Sequence, residues 1–252
     1  MNSLEAIKLE DGSNISILSN TVDNPKAQIV FAHGAGANMT HEFMNEMSLL
    51  LNERKINVLR FNFPFMDKRA LTGKKYPPDR MPKLLLCYEA VIKYVVEHVN
   101  EGVNGNKLPL FIGGKSMGSR VAASLVADSV VSKATFLTKV EGVFCLGYPF
   151  HPTKKPEKLR LEPLVEASKP ILIVQGDRDT LGNEAEIISY QLPKQCQCVF
   201  LVDGDHSLKP RVKSGFTYSA HMRHAATEIV TFIDELTKSI GSNNDSNNEI
   251  IR

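Results

Sequence analysis

Short apolar runs rich in Val, Ile, Leu and Phe recur along the chain, separated by stretches whose apolar positions follow a helical period. The runs at 28–32, 57–61, 108–112, 140–146, 171–175 and 199–202 carry too few polar positions to expose a face, as expected of strands buried on both sides of a parallel sheet. Between them, 42–54, 84–99, 117–131, 161–167 and 184–189 read as helices, and 218–238 as a last one. Parallel neighbours need crossover connections, so this alternation predicts an α/β protein with a mostly parallel central sheet of about eight strands and helices on both faces. Residues 6–18 alternate around Asp11-Gly12, the signature of a hairpin at the sheet edge. The chain shows no internal break and no repeat of 20 to 50 residues. It is expected to form one domain over 1–240. The polar, aperiodic stretch Gly241-Ser-Asn-Asn-Asp-Ser-Asn-Asn248 lacks the apolar area to offset its ordering entropy, so 241–252 reads as a disordered tail.

Composition narrows the partners. With 42% hydrophobic and 23% charged residues and a net charge of +2 over 252 residues, the chain resembles an ordinary globular protein and lacks the basic excess of a nucleic-acid binder. Its first residues lack a signal peptide's basic start and apolar core, and no eighteen apolar residues run together, so no membrane partner and a cytoplasmic location are expected. Four cysteines make no disulfide framework, and Cys196-Gln-Cys198 lacks zinc-site spacing. Cys87, Cys145, Cys196 and Cys198 read as reduced thiols. His221 and His224 are three apart, but no carboxylate pair or H-E-x-x-H arrangement accompanies them, so no metal is expected.

The chemistry concentrates where apolar runs end. Gly114-Lys-Ser-Met-Gly118 follows the run 108–112 and precedes the small, helix-compatible run 121–127. It reads as a nucleophile elbow, with Ser116 at a strained strand-to-helix turn and Gly114 and Gly118 allowing close backbone approach. A serine needs a histidine base and a carboxylate to orient that base. The run 171–175 leads into Gly176-Asp-Arg-Asp179, and 199–202 into Asp203-Gly-Asp-His206, which places acid and then histidine after the serine. Asp179 is the expected acid, because a turn starting at Gly176 can aim the fourth residue across the strand ends; Asp177 is the alternative. His206 is the expected base.

A developing oxyanion needs fixed donors, and backbone amides at turns supply them. The run 28–32 ends in His33-Gly-Ala-Gly36, so the amides of Ala35 and Met117 are the expected donors, with His33 structural. The spacing does not match a phosphate-binding P-loop. His151, in Tyr148-Pro-Phe-His151, either touches substrate or serves its loop. Arg120, one helical turn past Ser116, is either an anion anchor or half of an ion pair beneath the elbow. Lys115 is expected to pack its alkyl stem along the strand ends.

Together, the serine elbow, the His-Gly loop, the Gly-x-x-Asp turn and the late Asp-His resemble the α/β-hydrolase superfamily over nearly the whole chain. The stretches His33-Gly-Ala-Gly-Ala-Asn38, Arg60-Phe-Asn-Phe-Pro-Phe-Met66, Gly114-Lys-Ser-Met-Gly-Ser-Arg120 and Tyr148-Pro-Phe-His151 are similar to a small branch related to dienelactone hydrolases, which includes bacterial proteins and a vertebrate testis-expressed relative. The resemblance implies an α/β-hydrolase fold with little or no cap and a Ser-His-Asp triad without cofactor. Dienelactone hydrolases use a cysteine nucleophile, where this chain has Ser116. The expected activity is cleavage of a carboxylic ester, thioester or lactone. Acyl transfer by the same triad and a silent scaffold are the alternatives. The connection 61–83 carries six basic residues against two acidic ones, a net of +4. It leaves the carboxyl end of a strand, where open α/β sheets bind ligands. It is therefore either a basic rim, with Arg69 and Arg80 as candidate contacts to an anionic substrate, or a solvated loop.

Overall fold

The computed structural model describes residues 2–8, 12, 14–100 and 105–248. Within them eight strands form one sheet in the order β1-β2-β4-β3-β5-β6-β7-β8. β1 (Asn2–Lys8) and β2 (Asn14–Asn20) make the antiparallel edge hairpin, and β2 also runs antiparallel to β4. Gly12 in the turn adopts φ +81°, which glycine takes without strain; Asp11 lies outside the described residues. β3 (Ala27–Ala32), β4 (Ile56–Phe61), β5 (Leu110–Lys115), β6 (Val140–Leu146), β7 (Ile171–Gly176) and β8 (Cys196–Leu201) are mutually parallel.

The parallel strands alternate between two cores, apart from the register shift that leaves Val140 and Val143 of β6 in the same one. In β3, Ile29 and Phe31 face α1 (Glu42–Asn52) and α8 (Tyr218–Asn248), while Val30 and Ala32 face the opposite layer. That layer holds α2 (Pro64–Thr72), α3 (Met81–Tyr94), α4 (Met117–Leu125), α5 (Asp128–Val131), α6 (Glu162–Val165) and α7 (Glu184–Ser189). This is why the runs read as continuously apolar: both faces of each strand are covered.

The differences from the sequence pattern have local causes. β5 extends through Gly113 and Gly114, paired with Phe31 and Ala32; glycines add nothing to an apolar count, yet their backbone groups serve the ladder. β8 begins at Cys196, earlier than expected, because an outer strand tolerates the exposed Gln197. The helix expected over 117–131 breaks at Val126, whose carbonyl accepts bonds at 2.8 Å from both the N–H and the hydroxyl of Ser168. The connection 61–83 is not structureless, since α2 occupies its first half, with Pro64 in the first turn and Gly73 left-handed at the C-cap. At the other end α8 continues past Lys238 to Asn248, over the stretch expected to be a tail; extending an anchored helix avoids the nucleation cost. Residues 249–252 lie outside the described residues.

Because the strands from β3 onward run parallel, their carboxyl ends share one edge of the sheet. The loops leaving β3, β5, β7 and β8 meet there. Among the described residues no inserted domain covers that edge, and no helix is long and apolar enough to cross a membrane.

Candidate active site

Ser116 sits between β5 and α4 at φ 54° and ψ −113°, a conformation that strains any residue with a Cβ. Its surroundings show why the elbow needs glycine on both sides. A Cβ on Gly114 would lie 2.2 Å from the carbonyl carbon of Gly118, and one on Gly118 would lie 2.6 Å from Ala32 O. Strand, helix and the end of β3 therefore interlock with no room for side chains.

The turn aims the serine at His206. Ser116 Oγ is 2.8 Å from His206 Nε2, and His206 Nδ1 is 2.7 Å from Asp179 Oδ2. A carboxylate can only accept, so Nδ1 carries the proton and Nε2 is left to accept from the serine hydroxyl. Asp179 is fully buried, and three donors hold its carboxylate. Gln175 Nε2 and His206 share Oδ2, the former at 2.8 Å, and Leu181 N donates to Oδ1 at 2.8 Å. Asp177 points elsewhere, into a separate surface cavity with Arg178 and Arg211. His206 is presented by a braced loop: Asp205 Oδ1 accepts from Ser207 N and Lys209 N at 2.8 and 3.0 Å, and Asp203 accepts from Arg211 N and Nε, each at 2.7 Å.

A cavity of about 590 Å³ opens over Ser116 and His206, walled by the loop after β3 together with Phe43, Met44 and Tyr218. Ala35 lies in that wall. A Cβ on Gly34 would come within 3.3 Å of Lys115 O and 3.5 Å of Ser116 Cβ, so this loop runs directly beside the elbow. Met117 is the first residue of α4, and its N–H has no partner within the helix. His33 braces the loop from behind. Its Nε2 accepts from Phe63 N at 3.0 Å while Nδ1 donates to Gly34 O at 2.7 Å, and burial, with a smaller contribution from Arg69, lowers its pKa to about 4. It is neutral and structural.

The other candidates disperse. His151 is buried, with Nδ1 against Pro152 O at 3.1 Å and Nε2 3.5 Å from Glu186, and it does not line the Ser116 cavity. Arg80 is exposed before α3. Arg69 donates to Tyr76 O at 2.9 Å, and Lys68 lies over the Tyr76 ring. None of these basic side chains lines the cavity. Among the described residues Arg120 has no carboxylate partner, so the ion pair considered beneath the elbow is not formed there.

Several supporting residues escaped sequence reasoning. Arg60 donates to Met39 O and Asn20 Oδ1, each at 2.8 Å, and to Asn45, while Asn62 Oδ1 accepts from Met39 N at 3.0 Å. The Arg60-Phe-Asn stretch thus clamps the far end of the His33 loop. The buried Tyr88 hydroxyl accepts from Gly113 N at 3.0 Å and lies 2.7 Å from Val30 O, joining β3 to β5 just before the elbow. A usable signal existed for Gln175: a polar residue ending the apolar run Ile171–Val174 must find a buried partner.

Lys115 differs from its expected role. Its stem is buried, but its ammonium reaches under the histidine loop and donates to His206 O at 2.5 Å. Burial brings its pKa down from 10.5 to about 8, against the opposing pull of Asp179 and Asp205. Between these two values the unfolded chain binds the proton that the folded protein has released, so stability from this group rises with pH from about 8 to 10.5 and is flat below. Urea titrations of wild type and Lys115→Met should therefore diverge over that window, by on the order of 3 kcal/mol in total. A constant difference would mean that Lys115 ionises normally.

The alpha/beta hydrolase domain family matches residues 25–234, and the chain belongs to that family. Solved structures of the same fold include an alpha-beta serine hydrolase homologue from Coxiella burnetii (TM-score 0.65, 16% identity, covering 91% of this chain and 96% of that one). A dienelactone hydrolase from Anabaena variabilis superposes at TM-score 0.62 with 14% identity, covering 90% and 96%. An esterase from Pyrococcus furiosus does so at 0.64 with 17% identity, covering 92% and 90%. At these identities the likeness establishes the fold.

Proposed function

We propose that this protein is a serine hydrolase that cleaves a carboxylic ester, thioester or lactone through an acyl-enzyme on Ser116. The observation that carries this reading is the continuous hydrogen-bonded chain from Ser116 Oγ through His206 to the buried Asp179, at 2.8 and 2.7 Å, beneath an open cavity.

In this reading Ser116 Oγ attacks the substrate carbonyl as His206 Nε2 takes its proton. Asp179 holds the imidazole in the accepting tautomer and balances the imidazolium that forms. The Met117 and Ala35 amides stabilise the oxyanion. The tetrahedral intermediate collapses, His206 returns the proton to the departing alkoxide or thiolate, and the acyl group stays on Ser116. Water then enters, gives a proton to His206 and attacks the acyl carbon; collapse releases the acid, and the proton goes back to Ser116. The side chains present supply every proton transfer, and no cofactor takes part. The substrate is a small molecule, and the four unpaired cysteines suit a reducing compartment such as the cytoplasm.

The test is a panel of p-nitrophenyl esters from acetyl to dodecanoyl. At least one acyl length should turn over above the Ser116→Ala background, and the preferred length should reflect the apolar wall of Phe43 and Met44. A folded wild type no faster than Ser116→Ala on every ester would favour a scaffold role.

A further inference from the structure

Arg120 stands one turn along α4 from the nucleophile, its N–H donating to Ser116 O at 3.2 Å. Long side chains on a helix lean back over the preceding turn, which directs this one towards the end of α4 where Ser116 sits. The side chain is half-buried, and its Nε is shielded from solvent yet bonds to nothing. Among the described residues its guanidinium makes no hydrogen bond and no ion pair.

A second guanidinium, that of Arg160, is near enough for its charge to be felt there. Arg160 is held by its backbone, whose carbonyl accepts from the Tyr148 hydroxyl at 2.8 Å and whose N–H donates to Phe150 O. Among the described residues its side chain makes only a long contact, from Nη1 to Pro149 O at 3.5 Å, and pairs with no carboxylate. Burial and the nearby charge of Arg120 both lower the Arg160 pKa, and both cations act on Tyr148.

Two half-buried guanidiniums of like charge, with N–H donors that no protein acceptor takes up, favour an anion between them. A carboxylate or phosphate matches their planar forks and would take up the unpaired donors. Their position adds meaning. The cavity over Ser116 has no wall residue from β6 or the segment after it, whereas Arg160 and Tyr148 belong to that segment. An ester centred on Ser116 would extend towards the apolar cavity on one side and towards the arginines on the other.

We propose that Arg120 and Arg160 form an anion subsite beside Ser116, and that the substrate carries a carboxylate or phosphate which the two guanidiniums hold across the elbow from the apolar cavity. The placement of the scissile bond rests on the serine hydrolase reading; the anion site itself does not.

The kinetic test compares 4-methylumbelliferyl hexanoate with the mono-4-methylumbelliferyl ester of adipic acid, which adds only a terminal carboxylate. The ratio of kcat/KM for the charged over the neutral ester should fall at least tenfold in Arg120→Met and in Arg160→Met, mainly through KM. Arg120→Lys should recover part of it, because it keeps the charge but loses the fork. Calorimetric titration with glutarate and with inorganic phosphate, at low salt, reads binding without catalysis. Wild type should bind one of them at least tenfold more tightly than either variant, and the tighter of the two identifies the anion. Unchanged ratios and unchanged titrations in folded variants would overturn the subsite. If no ester turns over and Ser116 resists a fluorophosphonate, while glutarate or phosphate binding still falls tenfold, the hydrolase reading fails and the anion site stands.

Discussion

Ser116→Ala should abolish labelling by a fluorophosphonate probe and reduce ester turnover on the order of a millionfold, to the residual rate that bound geometry alone supplies. The size of the effect follows from the chain of bonds at the site. An ordinary serine hydroxyl is too weak a nucleophile at neutral pH, and only the accepting Nε2 of His206, 2.8 Å away, can take its proton as the bond to the carbonyl forms. Removing Oγ removes the bond-forming atom, while Gly114, Gly118 and the sheet beneath them remain. The variant should keep its far-UV circular dichroism and melting temperature, because alanine keeps the Cβ and with it the same strained φ of 54°. Intact mass spectrometry of both proteins after incubation with the probe decides the matter. Wild type should gain one adduct, and peptide mapping should place it on Ser116. Equal labelling in the variant would move the nucleophile elsewhere.

Asp179→Asn should lower kcat/KM about ten thousandfold, the cost of presenting a histidine in the wrong tautomer. Both oxygens of this carboxylate face donors: Oδ1 meets Leu181 N, and Oδ2 meets Gln175 Nε2 and His206 Nδ1. An asparagine must point its NH2 at one of these sets. Turned towards His206, it forces the ring to accept at Nδ1 and so to carry its proton at Nε2, where it blocks the serine. In either orientation opposed donors are buried, with Gln175 Nε2 in the first and Leu181 N in the second, at about 1–3 kcal/mol of stability. Activity distinguishes the two orientations, because only the first changes the histidine tautomer. Asp177→Asn should cost less than tenfold in rate, since that side chain faces Arg178 and Arg211 across a different cavity. A larger loss at 177 than at 179 would refute the assignment of the acid.

The two aspartates also show how far the sequence reached. Gly176-x-x-Asp179 pointed to the carboxylate that meets His206 because the turn is local: Asp179 N donates to Gly176 O at 3.0 Å, closing it within four residues. Its bond to His206 comes from a loop 27 residues away. That bond was expected from chain order but could not be read from adjacency. The basic connection 61–83 was legible as charge and not as structure. Pro64 and Gly73 bracket a helix there, but Phe65 and Met66 are the only residues of α2 that are buried, too few to stand out as a period. His151, following the end of β6, read equally as a substrate contact or a loop residue, and the chain turns it under towards Leu181 and Glu186.

What the sequence determined by itself are the features that neighbouring residues enforce: apolar runs that must be covered on both faces, a histidine loop and a serine turn that only glycine permits, and the order serine, acid, histidine. The tertiary structure decided whatever depends on distant loops meeting at one sheet edge. It separated Asp179 from Asp177, drew the Lys115 ammonium to the carbonyl of His206, set Arg60 to clamp the loop after β3, and left Arg120 without a carboxylate among the described residues. The physical reason is the same in each case. Backbone conformation and strand burial are fixed over a few residues, whereas the partner of a long polar side chain depends on every loop that packs around it.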